Sequence, residues 1–135
     1  MAIIVPSLQP GISQLLFKLI GANMNVTTDQ AFTLIGGAVP ANYFITRIRA
    51  VNASLSLTVA AGGVYDTASK GGTTLVAAAQ VYSALTGATL GLDLTLTAYG
   101  NGFRAGVTPI LSLTTAQGAA ATCDFYIYAV ITTGV

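Results

Sequence analysis

The sequence predicts an all-β chain folded as an antiparallel β-sandwich, and three observations carry that prediction. Apolar and polar residues alternate with a period of two through several short runs. Glycine-rich breaks at 62–63, 71–72, 87–91, 100–102 and 118 separate those runs, at the spacing expected of sandwiches and barrels. No stretch sustains the 3.6-residue period of an amphipathic helix.

In chain order, residues 1–13 carry Pro6, Pro10 and Gly11 and no clear period, so they read as an extended N-terminal arm. Residues 14–135 then form one domain, the size expected for a chain of 135 residues. Residues 15–20 are a short apolar run interrupted by Lys18, and residues 30–35 a second run that ends at Gly36-Gly37. Residues 43–51 make the clearest strand: strict alternation places Phe44, Thr46, Ile48 and Ala50 on one face and Tyr43, Ile45, Arg47 and Arg49 on the other. Leu55, Leu57 and Val59 alternate with Ser54, Ser56 and Thr58; Leu92, Leu94 and Leu96 alternate with Asp93, Thr95 and Thr97. The rhythm returns at 110–114, after Pro109. In 121–132 it sets Cys123, Phe125, Ile127, Ala129 and Ile131 against Tyr126, Tyr128 and Val130. Residues 74–85 mix helix-favouring Ala77-Ala78-Ala79 with Val76, Val81 and Tyr82, and their surroundings favour strand. The echo between Leu55-Ser-Leu-Thr-Val-Ala-Ala-Gly62 and Leu111-Ser-Leu-Thr-Thr-Ala-Gln-Gly118 is what a duplicated Greek-key half would leave, which makes the expected sandwich jelly-roll-like.

Charge is the unusual feature. Only 7% of residues are Asp, Glu, Lys or Arg, against about 25% in ordinary domains. They are Lys18, Arg47, Arg49, Lys70, Arg104, Asp29, Asp66, Asp93 and Asp124, for a net charge of +1. That balance offers neither the basic footprint of a nucleic-acid binder nor a patch for anionic lipid. A chain that is 53% hydrophobic with so few charges is expected to associate, its surface covered by other protein. A neutral polar surface of Ser, Thr, Asn and Gly is the plainer alternative. No run of about 18 apolar residues is present to span a membrane as a helix. The start has no basic n-region, so the expected place of synthesis is the cytoplasm.

Catalysis and metal binding find few candidates. There is no His and no Glu, and the four Asp residues are scattered, so no general acid–base pair is visible. One Cys without His supplies neither a Cys–His nucleophile nor a zinc or redox-metal set, and no Asp-x-Asp-x-Asp calcium pattern occurs. Lys70-Gly71-Gly72-Thr73-Thr74 reverses the order of a phosphate-binding loop. The expectation is a non-enzyme with no cofactor, no metal, and Cys123 as a buried thiol.

Binding has better candidates. Arg47 and Arg49, two apart in a strand, leave the same face and can clamp a partner's carboxylates; the alternative is a pair that keeps a strand edge soluble. The six tyrosines suit a protein interface or a sugar-binding face. Ile3, Ile4 and Val5 of the arm, with Tyr43, Arg47 and Arg49, are the candidate contact residues.

From about residue 39 the chain resembles the small structural proteins encoded beside the major capsid protein of tailed bacteriophages. The resemblance rests on Val39-Pro-Ala-Asn-Tyr43, Ala50-Val-Asn-Ala-Ser54, Ala60-Ala-Gly-Gly63, Ala68-Ser-Lys-Gly-Gly72 and Ala77-Ala-Ala-Gln-Val-Tyr-Ser-Ala-Leu-Thr86. It continues through Leu92-Asp-Leu-Thr95 and Leu111-Ser-Leu-Thr-Thr-Ala-Gln-Gly-Ala-Ala-Ala-Thr122. It implies a capsid decoration, or cement, protein: a jelly-roll-like unit on the outer surface of the virion that bridges major capsid protein subunits as a homo-oligomer, a dimer ahead of a trimer. The rival expectation is a carbohydrate- or receptor-binding module of a tail or fibre.

Overall fold

The computed structural model describes residues 9–36, 38–100, 102–104 and 106–133. Its ten strands are β1 (Ser13–Asn23), β2 (Gln30–Ala31), β3 (Thr33–Leu34), β4 (Asn42–Val51), β5 (Ala61–Thr67), β6 (Gly71–Val76), β7 (Gly91–Asp93), β8 (Phe103–Arg104), β9 (Ile110–Thr115) and β10 (Thr122–Thr133). They form two antiparallel sheets, the β-sandwich that the period-two pattern predicts. One runs β3-β1-β10-β4-β7, with β8 also on β4; the other runs β2-β9-β5-β6.

The pairing is nested about a central hairpin. β5 pairs β6, β4 pairs β7, β2 pairs β9 and β1 pairs β10, so the chain resembles one long hairpin rolled over on itself. Between the sheets lies a single apolar core. It takes Cys123, Phe125, Ile127, Ala129 and Ile131 from β10, each fully buried, and meets Val64, Leu75, Leu111 and Leu113 from the opposite sheet. The alternation read in 121–132 is thus the alternation observed, because a central strand with one buried face shows period two most cleanly.

The hairpin at the centre turns tightly through Ser69 and Lys70, both at positive φ (60° and 57°), with the Gly71 N–H donating to Ala68 O at 3.2 Å. Two left-handed residues in succession define the turn type that prefers Asn-Gly. Here the glycines of 71–72 follow the turn rather than form it. The Asp29 carboxylate accepts the Ser69 N–H at 2.6 Å and Lys70 Nζ donates to Thr27 O at 3.1 Å, so the loop before β2 braces the turn. Replacing Ser69-Lys70 by Asn-Gly is expected to raise the unfolding free energy by about 1 kcal/mol, because the left-handed cost of a branched-out side chain is removed. Urea denaturation of the double variant measures it; a loss would mean that Lys70 outweighs the backbone term.

Five expectations are corrected. Residues 54–59 are loop, not strand: they carry the chain from one sheet to the other. Leu57 is buried there with its N–H bonded to Leu85 O at 3.0 Å, and the Val59 and Ala60 N–H groups donate to Gln117 Oε1 at 3.1 and 3.0 Å. Because 111–115 is strand and 55–60 is loop, the echo between them is not a structural repeat. Gly62-Gly63 is no break but lies inside β5, where neighbouring backbone comes too close for a side chain. Residues 74–85 are strand only to Val76, followed by a loop in which Tyr82 is buried and its hydroxyl donates to Gly62 O at 2.9 Å.

The fifth concerns β4. Its register against β10 shifts between Ile45 and Arg47, so Thr46 is an inserted residue, a β-bulge. The bulge reverses the phase: Tyr43 and Ile45 before it and Ile48 and Ala50 after it all face the core. Tyr43, expected at the surface, is therefore fully buried, with its ring 5.6 Å from Phe17 and its hydroxyl donating to Val107 O at 2.5 Å. The arm is described only from residue 9, where Pro10 bridges Ile131 and the Gly11 N–H donates to Ile131 O at 2.9 Å. Ile3, Ile4 and Val5 lie outside the described residues.

Candidate docking face

The outer face of the sheet containing β1, β10, β4 and β7 gathers the residues best suited to hold a partner. Residues directly opposite one another across an antiparallel pair share a face. Register places Lys18, Tyr126, Arg49 and Asp93 in one row, and Leu15, Tyr128 and Arg47 in the next. Both tyrosines are half-buried, and Arg47 sits 5.9 Å from the centre of the Tyr128 ring.

Arg47 and Arg49 are brought together by a carboxylate of their own chain. Arg47 Nε donates to Asp93 Oδ1 at 2.7 Å and Nη2 to Oδ2 at 3.2 Å; Arg49 Nη1 donates to the same Oδ1 at 2.9 Å. The two-point clamp expected for a partner's carboxylate is thus formed on Asp93. The alternative also changes: β4 is an interior strand between β10 and β7, so the arginines do not protect an edge. The Arg49 guanidinium lies against Gly91, where a Cβ would collide with it. Glycine at 91 is what leaves it room.

The cluster keeps a positive excess. Asp93 is shared by two guanidinium groups, and Lys18 makes no ion pair among the described residues. The other carboxylate of this face, Asp124, accepts the Gly21 N–H at 2.7 Å and the Asn52 side-chain amide at 2.9 Å. It thereby steadies two left-handed residues, Gly21 (φ 66°) and Asn52 (φ 57°). With the Arg47 and Asp93 side chains 47% and 54% exposed, the pair contributes little to folding.

The hydrogen bond from Arg47, ahead of that from Arg49, holds the Asp93 carboxyl below its ordinary value of 3.8. The Ser69 backbone N–H, followed by the Ser112 hydroxyl, does the same for Asp29. Depressed carboxyl values mean that the folded chain binds these protons less readily than the unfolded chain. Their stabilisation is therefore present above the ordinary value and lost as pH falls through the folded one. Burial pushes the Cys123 thiol up to about 12 and raises Tyr65 and Tyr82. The chain has no His, the side chain whose ordinary value places its charge change between about pH 5 and pH 8. The melting temperature is expected to stay flat across that window and to fall below about pH 4. A scanning-calorimetry series tests this; a step between pH 6 and pH 8 would contradict it.

A second, smaller feature is a shallow groove lined by Gly72, Thr73, Thr74, Thr97 and Tyr99. Tyr99 is 73% exposed, unlike the buried Tyr43, Tyr65 and Tyr82, and offers its ring to a flat ligand. Thr97 is engaged in structure, with its hydroxyl donating to Thr74 O at 2.6 Å. Among the described residues no three Cys or Asp side chains converge as metal ligands, and no helix is long and apolar enough to cross a membrane.

Sequence reading found Arg47 and Arg49 but missed Asp93, Lys18, Tyr126, Tyr128 and Gly91 as their neighbours. The signal for the tyrosines was present, as the polar-side alternation of 121–132; their meeting with the arginines needs the strand register. No protein-family model matches this chain, and no curated protein and no solved structure matches it either.

Proposed function

We propose that this chain is a structural virion protein, a capsid decoration or cement protein that binds the outer surface of a tailed-phage head and bridges major capsid protein subunits. The observation that carries the reading is the pair of neighbouring rows that sets Tyr126 beside Arg49 and Tyr128 beside Arg47 on one sheet face. Tyr and Arg are the residues that most often dominate protein interfaces, since each combines large contact area with directional hydrogen bonds. The excess positive charge suits an acidic patch on the shell. The nested strand order supports a jelly roll, an architecture frequent among capsid and lectin domains. Several copies bound at once would add modest contacts through avidity. Because no covalent chemistry is required, the scarcity of titratable groups is no obstacle.

Co-sedimentation with expanded heads lacking the protein is the test. Reversing both charges, Arg47→Glu with Arg49→Glu, should weaken binding by about 2 kcal/mol, roughly thirtyfold. Folding should change little, since the ion pairs are exposed. Heads that ignore the wild-type protein at micromolar concentration would overturn the reading.

The second reading, a carbohydrate-binding module of a tail or fibre, is favoured by exposed Tyr99 in its threonine-lined groove. A glycan array probed with wild type and Tyr99→Ala separates the two: retention lost only in the variant would select this reading.

A further inference from the structure

The turn that carries exposed Tyr99 is braced against β6. Thr97 N–H donates to Leu75 O at 3.0 Å, and the Thr97 hydroxyl to Thr74 O at 2.6 Å. The Gly100 N–H donates back to the Thr97 hydroxyl at 2.8 Å, and the Gly102 N–H to Tyr99 O at 3.1 Å. Gly100 itself lies so close to β6 that a Cβ there would fall on Leu75 O. The backbone beneath the ring is thus fixed in advance, and only the side-chain torsions of Tyr99 remain to be ordered by a ligand.

Beside the ring, the groove of Gly72, Thr73, Thr74 and Thr97 encloses about 470 Å³, within the range of small-ligand sites, roughly 300–1,000 Å³. Its lining is rich in hydroxyls and carries no charged residue. Thr73 and Thr74 are partly buried, and their hydroxyls make no hydrogen bond among the described residues. The charge bonded to this wall is negative. Asp66 Oδ1 accepts the Thr73 N–H at 2.6 Å, and the Asp66 and Thr67 side chains occupy the place where a Cβ on Gly72 would go.

We infer that this groove binds an uncharged saccharide, with one sugar ring stacked on Tyr99 and its hydroxyls bonded to Thr73 and Thr74. The inference deepens the carbohydrate reading and rests on it; it shares no residue with the Arg47–Arg49 face on which the decoration reading stands. Other ligand classes meet an obstacle here. A phosphate, sulfate or carboxylate finds no cation in the lining and has the Asp66 carboxylate behind it. A wholly apolar ligand would strip water from the threonine hydroxyls and give them nothing in return. A neutral sugar satisfies both conditions. The weakly positive C–H bonds on one face of its ring meet the negative face of the tyrosine ring. The hydroxyls on its rim take the place of water on the threonines.

The test is an array of neutral gluco-, galacto- and manno-oligosaccharides, set beside chains bearing uronic or sialic acid, followed by calorimetric titration of the neutral chain retained best. The wild type should retain neutral chains and reject acidic ones. Tyr99→Ala should weaken binding at least roughly tenfold, while Tyr99→Phe keeps it, because the ring makes the contact. Asp66→Asn preserves an acceptor for the Thr73 N–H and removes the repelling charge, so acidic chains should then bind about tenfold more tightly than to the wild type. Arg47→Glu with Arg49→Glu should leave glycan binding unchanged. Circular dichroism checks that each variant is folded. Acidic chains retained as firmly as neutral ones, or neutral binding untouched by Tyr99→Ala, would overturn the inference and leave the carbohydrate reading standing. An array that retains no wild-type protein at all would sink both.

Discussion

Replacing Phe125 by Ala is expected to lower the unfolding free energy by about 3–5 kcal/mol. Phe125 is fully buried on the inner face of β10, opposite Leu19 of β1 and Ala50 of β4. Its ring meets Phe32 edge-on at 6.4 Å and Tyr82 at 5.8 Å, with interplanar angles of 81° and 84°. Phe32 sits where the chain passes from β2 in one sheet to β3 in the other, and Tyr82 belongs to the loop between β6 and β7. One side chain therefore joins a central strand to two crossings between the sheets. Strands fixed on both sides cannot collapse into the gap, which places the cost toward the upper end. Equilibrium urea unfolding measures it. A loss under about 1 kcal/mol would mean that the three rings do not share one sealed core.

Gly63→Ala should cost about 3 kcal/mol, as much as a large core truncation, although it adds a single methyl group. β5 lies between β9 and β6, and a Cβ at Gly63 would fall on Val76 O and within 3.0 Å of the Ala77 carbonyl. These are backbone atoms at the end of β6 and just beyond it, which cannot swing aside as a side-chain tip can. Gly118 provides the comparison. It has φ 85° and open space around it, so alanine there meets only the left-handed backbone cost of about 1–2 kcal/mol. The same substitution at two glycines thus separates a spatial requirement from a conformational one. Equal losses at both sites would show that the strands can part at Gly63.

Much of the fold was legible in the sequence where a strand has one face in the core and a regular register. Residues 122–132 are such a segment, and their alternation reports burial directly; in 110–115 Leu111 and Leu113 face the core as the pattern says, but Ser112 between them is buried too. Legibility failed where tertiary contacts replaced the ladder. Leu55, Leu57 and Val59 alternate as a strand would, but the chain there must change sheets, and burying Leu57 satisfies the pattern without pairing. In β4 the pattern was right on each side of Thr46 and wrong across it, since one inserted residue moves every earlier side chain to the other face. That slip put Tyr43 among the surface candidates and left Arg47 and Arg49 correctly together.

The sequence alone determined the class of fold, a sandwich of short alternating strands, and the shortage of charge. Both depend only on composition and local periodicity, which each segment carries within itself. The tertiary structure decided what those few charges do. It set Asp93 between Arg47 and Arg49, aligned Tyr126 and Tyr128 beside them, and gathered the uncharged loops 52–60, 77–90 and 116–121 at one end of the sandwich. Those placements follow from nested pairing between residues far apart in the chain, and no local pattern encodes a partner 44 or 103 positions away, the separations of the Arg49–Asp93 and Gly21–Asp124 bonds.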